Sequence, residues 1–146
     1  MIEHELTFAS PRAPDEVFAY LADVARTPEW LSTCVRVEVL SPGAVRLGTA
    51  LRYTYRQLSR TGHLEGSVTT FEPARSLRFA YADTMLAITV GFEITQGSGR
   101  TRVLHTIAIE PRSPMMRLFQ PLIRREVVRQ AALDVATLAR LLCRTT

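Results

Sequence analysis

Between Ile2 and Glu110 apolar residues recur at every second position in short runs, whereas beyond Ser113 they recur at three- and four-residue steps. Period two marks a strand with one buried face, and steps of three and four mark a helix with an apolar stripe. A chain with many such strands and one long helix has few ways to bury both. This switch constrains the fold more than any other feature.

The runs can be read in order. Ile2, His4, Leu6 and Phe8 alternate with Glu3, Glu5 and Thr7, and Ser10-Pro11-Arg12-Ala13 breaks that strand. Pro14-Asp15-Glu16 starts a helix, with proline at the first helical position and two acids at the positive end of its dipole. Val17, Phe18, Leu21 and Val24 carry the helix to about Ala25. Thr27-Pro28-Glu29 repeats the start signal for a second helix holding Trp30, kept short because Val35, Val37 and Val39 already alternate. Ser41-Pro42-Gly43 is a turn, and Thr49 to Leu58 a strand with Leu51, Tyr53 and Tyr55 on one face. Arg60-Thr61-Gly62 predicts a turn before a strand from His63 to Phe71. Glu72-Pro73-Ala74-Arg75 predicts another before Leu77, Phe79 and Tyr81, and Ile88, Val90, Phe92 and Ile94 make the next strand. Gln96-Gly97-Ser98-Gly99 is a hairpin loop rather than a phosphate cradle, since strands flank it and no helix begins there. Thr101 to Glu110 is the last strand, and Ser113 to Arg144 reads as helix, with Pro121 imposing a short first turn or a kink.

The order is thus one strand, two short helices, about six antiparallel strands and one long helix. Strands joined by short turns pair as neighbours, and only the last helix is long enough to cover them. The fold class is α+β, a single domain over residues 1–146 whose sheet curls around the C-terminal helix.

Several kinds of chemistry drop out. All 18 basic side chains are arginine, so no lysine is present for a Schiff base or a P-loop. Arginine alone fits selection for phosphate contacts, and it also fits a GC-rich genome, which would explain the missing asparagine as well. Cys34 and Cys143 follow no metal spacing and are too few for a disulfide scaffold, as expected of a reduced cytoplasmic protein. His4, His63 and His105 have no carboxylate at helical spacing, and no dinucleotide fingerprint or Gly-x-Ser-x-Gly occurs. Neither metal nor cofactor is expected. The N-terminus lacks the pattern of a signal peptide, and no apolar run is long enough to cross a bilayer.

The element order, with the Ala-Pro-Asp-Glu-Val-Phe helix start at residues 13–18, the Thr-Pro-Glu-Trp step at 27–30 and the Phe-Glu-Pro-Ala-Arg-Ser-Leu turn at 71–77, resembles the START/Bet v 1-like helix-grip superfamily. The likeness is nearest to its polyketide cyclase/dehydrase and lipid-transport group and runs from Glu3 to Leu142. It implies a deep apolar cavity between a curved sheet and the long helix, with a hydrophobic small molecule bound there. Two functions follow: an enzyme promoting aldol cyclisation or dehydration of a polyketide, or a non-catalytic carrier or sensor of a lipid, isoprenoid or polyketide. One departure bears on the first. The aromatase/cyclases of this group place a cavity arginine on the strand entering the Phe-Glu-Pro turn, where this chain has Ser67-Val68-Thr69-Thr70-Phe71.

His105 shares its strand face with Val103, Ile107 and Ile109, so it points inward, either as an acid–base group or as a neutral core histidine with one hydrogen bond. His4 lies on the apolar face of the first strand, which the superfamily places beside the last. Tyr53, Tyr55 and Tyr81 fall on apolar faces, where a phenol can pack or can hold a ligand oxygen. The candidate catalytic residues are His105 and Tyr55. The candidate ligand contacts are Tyr53, Tyr81, Trp30 as an end plug, Val90, Phe92, Thr70, and Met115, Met116 and Phe119 at an adaptable mouth. Thr70 and Glu65 lie on opposite faces of one strand, and the pattern leaves open which face is internal.

Charge is unevenly spread. From Arg112 onward seven arginines face Glu126 and Asp134, while the first 111 residues hold eleven arginines and twelve acids. Arg124, Arg125 and Arg129 are expected on the solvated back of the helix. Such a back suits an acidic partner, an acyl carrier protein or an anionic membrane surface, without stable insertion. Nucleic acid is not expected, because no basic–aromatic platform appears. Monomer and homodimer remain equally open.

Overall fold

The computed structural model describes residues 1–57 and 60–143. Its strands are β1 (Ile2–Ser10), β2 (Cys34–Val39), β3 (Ala50–Gln57), β4 (Arg60–Glu72), β5 (Ser76–Ala82), β6 (Leu86–Gln96) and β7 (Thr101–Pro111). The helices are α1 (Pro14–Ala22), a 3-10 helix (Val24–Glu29), α2 (Pro114–Leu118) and α3 (Gln120–Cys143). The strands form one antiparallel sheet in the order β1-β7-β6-β5-β4-β3-β2, so the first strand returns to pair with the last.

Directly paired residues share a face of the sheet, and the register lays the apolar set out in rows. Phe8, Val103 and Ile94 form one row; Leu6, His105, Phe92, Leu77 and Phe71 the next. Then come His4, Ile107, Val90, Phe79 and Val68, and last Ile2, Ile109, Ile88, Tyr81, Gly66 and Leu51. This is the inner face. Phe18 of α1 meets Phe71 edge-on at 5.1 Å, and Leu138 and Leu142 of α3 join the same core. Bulges at Cys34/Arg36 and Val68/Thr70 add local twist and help the sheet curve.

Two polar latches hold the long helix. Ser10 Oγ, at the end of β1, donates to the Leu142 carbonyl at 2.6 Å and satisfies a helix end. Asp134 Oδ1 accepts from the Ser32 backbone N–H, just before β2, at 3.3 Å. The helix therefore ties the two edges of the sheet together. Its C-terminal half is buried through Ala131, Asp134, Val135, Leu138 and Leu142. Its first half is not: Leu122 is 63% exposed, while Ile123 and Val127 are half-buried.

The architecture is the expected one, with three local corrections. The first helix stops at Ala22, and the 3-10 helix occupies Val24–Glu29, so Trp30 follows the second helix instead of riding on it. Thr27 does not cap it; its carbonyl accepts from the N–H groups of Trp30 and Leu31 at its end. Arg60-Thr61-Gly62 belongs to β4, paired with Gln57, Arg56 and Tyr55, and Leu58 lies outside the described residues. Gly62 is there for closeness: a Cβ would run into the Tyr55 ring. Asp134, in the sequence only one of two acids in the charge balance after Arg112, is buried in the latch to Ser32. The Pro121 expectation has its counterpart in the break between α2 and α3 at Phe119, while Arg144 lies outside the described residues.

Candidate functional site

The inner face gathers aromatic side chains in two groups. His105 is 3% exposed and stacks on Phe92, its cross-strand partner, with ring centroids 4.6 Å apart. Trp30 closes over both, edge-on to His105 at 5.8 Å and to Phe92 at 6.0 Å. The second group lies toward the other edge: Tyr53 is 5.4 Å from Tyr81 and 6.4 Å from Tyr55, and Phe79 is 6.4 Å from Tyr81. No ring contact joins the two groups among the described residues.

A backbone carbonyl can only accept, so His105 Nδ1 must donate to Gly91 O across 3.1 Å. That bond fixes the neutral tautomer and leaves Nε2 as the acceptor. Burial pushes the imidazole down to about 4, against the opposing pull of the Gly91 bond and with a minor push from His4. At neutral pH the ring is uncharged: a hydrogen-bond acceptor and a weak base. His4 is its diagonal neighbour on the same face, because His4 pairs with Ile107 and His105 with Leu6.

The tyrosines differ from one another. Tyr53 is within 3.4 Å of Thr33 Oγ1 through its hydroxyl, and burial raises its phenol well above the ordinary tyrosine value. Tyr81 is raised in the same way by burial. Both remain protonated over the whole useful pH range and serve as donors. Tyr55 is half-buried at the same edge, opposite Cys34. Burial lifts the Cys34 thiol to about 12, which makes it a packing group instead of a nucleophile. Beside them, Asp134 Oδ1 accepts from Gln130 Nε2 at 3.2 Å as well as from Ser32. Asp134 is a buried carboxylate that counting charges overlooks. Its position three residues after Ala131 and four before Leu138, inside the apolar stripe, is the signal that could have found it.

The cover of the inner face is uneven. α3 packs on β1 and is held at Ser10 through Leu142 and beside Ser32 through Asp134. On the inner face Ile88, Val90, Ile107 and His4 are only half-buried, although Ile2, Leu51, Tyr81 and Ile109 beside them are buried.

This arrangement has known relatives. The family model described as polyketide cyclase / dehydrase and lipid transport matches residues 1–142. The chain belongs to that family. Among solved structures, an aromatase/cyclase from a Streptomyces species superposes with a TM-score of 0.73 at 13% identity, covering 96% of this chain and 92% of the other. A START superfamily protein of Mycobacterium smegmatis gives 0.73 at 13% identity, with 96% and 98% covered. A Deinococcus radiodurans protein gives 0.70 at 15% identity, with 94% and 95% covered. At these identities the likeness concerns the helix-grip fold alone. No curated protein matches the chain.

The remaining family-derived expectations find these places. Thr70 pairs with Arg78 beyond the bulge and so shares the outward face, away from His105. Glu65 also faces outward, in an ion pair with Arg52 at 3.2 Å. Met115 is 61% and Phe119 47% exposed, whereas Met116 is half-buried. Val90 and Phe92 lie on the inner face. Arg124, Arg125 and Arg129 are all exposed. A depression of about 570 Å³, lined by Thr7, Glu93, Thr95, Arg102 and Leu104 among others, opens on the outward face, on the far side of the sheet from His105. Among the described residues no cluster of metal-binding side chains occurs, and no helix is long and apolar enough to cross a membrane.

Proposed function

We propose that this chain binds a hydrophobic, oxygen-bearing small molecule between the first half of α3 and the strands β6 and β7, and that it acts on it as a polyketide cyclase/dehydrase-type enzyme. The observation that carries the binding is the half-buried floor of Ile88, Val90 and Ile107 under a helix whose first half is not packed down. Apolar floors of this kind, with few placed polar groups, are what small-molecule sites consist of. His105 Nε2 is the base of this reading, and Tyr53, Tyr55 and Tyr81 donate to ligand oxygens.

One observation favours the carrier reading instead. His105 is sandwiched against Phe92 and Trp30, and its ring makes no contact with the tyrosine group among the described residues. Acid–base chemistry needs a donor and an acceptor converging on one atom.

Trp30 is the single tryptophan, so its fluorescence reports on the site without a label. Titration with a hydroxylated naphthalene and with a long-chain fatty acid should quench it, and Val90→Thr should weaken binding about tenfold by placing a hydroxyl in the apolar floor. Unchanged affinity would place the ligand elsewhere. For the reaction, His105→Phe is assayed with a linear poly-β-ketone substrate. Loss of turnover with binding kept supports the enzyme; turnover retained removes His105 from the chemistry; binding without turnover in the unmodified protein leaves a carrier.

A further inference from the structure

The segment from Pro111 to Arg125 holds Arg112, Arg117, Arg124 and Arg125 and no acidic residue. It also carries four exposed apolar side chains: Met115 is 61% exposed, Leu118 74%, Phe119 47% and Leu122 63%. Helical hydrogen bonds continue through the α2–α3 break, from Phe119 N–H to Met115 O at 3.2 Å and from Ile123 N–H to Phe119 O at 3.0 Å. Met115, Phe119 and Leu122 therefore follow one another along one side. The neighbouring β5–β6 turn adds Met85, 38% exposed, tied to this segment by the Arg112 N–H to Met85 O bond at 2.8 Å. A soluble surface does not spend this much exposed apolar area without a partner.

We propose that this corner docks reversibly on an anionic lipid bilayer, with the apolar side chains entering the headgroup boundary and the arginines meeting lipid phosphates and carboxylates. Apolar residues ringed by arginine are the composition of an interfacial amphipathic segment, and the one acid of the adjoining turn, Asp83, has its carboxylate engaged by the Met85 and Leu86 N–H groups. The side chains stand out from the surface instead of lining a groove, which suits a fluid partner that needs no complementary shape. The corner follows directly on the end of β7, against which α2 packs. Docking would turn that end of the fold toward the membrane. The inference stands whether or not the inner face binds a ligand, because it concerns the free protein and a vesicle.

The test is co-sedimentation of the full chain with vesicles of phosphatidylcholine alone and of phosphatidylcholine with one third phosphatidylserine. Binding is expected to the anionic vesicles only, and it should fall with added salt. Each of Arg117→Gln and Arg125→Gln should lower partitioning about fivefold. Leu118→Ser should lower it as well, and Arg100→Gln, in the β6–β7 turn at the opposite end of those strands, should leave it unchanged. Thermal unfolding of each variant checks that it is folded. Failure to bind, equal binding to both vesicles, or an equal loss in the Arg100 variant overturns the proposal. So does binding to an acidic acyl carrier protein without binding to vesicles, which would assign the corner to a protein.

Discussion

The buried imidazole makes this fold sensitive to acid in a window that can be calculated. His105 titrates near 4 when folded, against an ordinary value of 6.5, because burial disfavours its charge. Between those values the unfolded chain binds a proton that the folded chain does not, so stability falls as pH drops through the window and is regained as it rises. For this one group the loss between neutrality and about pH 5 is roughly 2 kcal/mol, and its limit at lower pH is about 3 kcal/mol. His105→Phe keeps a ring between Trp30 and Phe92 but removes the titration. It also removes the bond to Gly91 O, which costs about 1 kcal/mol at neutral pH. Urea unfolding of both proteins should therefore give curves that cross, with the variant weaker at neutrality and stronger by about 1 kcal/mol near pH 5. Parallel losses in the two proteins would refute the buried neutral imidazole.

Three further outcomes follow from packing. Leu138 is fully buried and Leu122 is 63% exposed on the same helix, so Leu138→Ala should cost about 2–5 kcal/mol in denaturant unfolding and Leu122→Ala less than about 0.5. Similar costs would mean that the first half of α3 is packed down as well. Gly66→Ala should yield no folded protein by circular dichroism, since a Cβ there would overlap the Ala80 carbonyl across the β4–β5 ladder; a normal melting curve would contradict that register. A thiol reagent at pH 8 should modify Cys143, which is exposed, and spare Cys34, whose thiol burial holds near 12. Two thiols reacting at equal rates in the native state would show that Cys34 is not enclosed.

Most of the framework was legible because it follows from periodicity. The alternation in β1, β6 and β7 depends only on which residues face inward, and the switch of step after Ser113 announces the one long helix. Reading failed where a local signal served a tertiary purpose. Gly62 reads as a turn residue but is a gap left for Tyr55. Thr27-Pro28 reads as a helix start but falls inside a 3-10 helix that began at Val24. Val35, Val37 and Val39 read as an even strand, yet the bulge at Cys34/Arg36 puts Cys34 in the core and leaves Val35 40% exposed.

By itself, then, the sequence determined the class of fold, the family, the inward direction of His105 and the concentration of positive charge after Arg112, because each is a property of spacing or composition along one chain. The tertiary structure decided what depends on register and distance. It set His4 diagonally beside His105, turned Thr70 outward past a bulge and buried Asp134 against Ser32. It also divided the long helix into a half that is core and a half that is not. The apolar stripe runs through both halves, and only the placement of the sheet beneath determines where water is excluded.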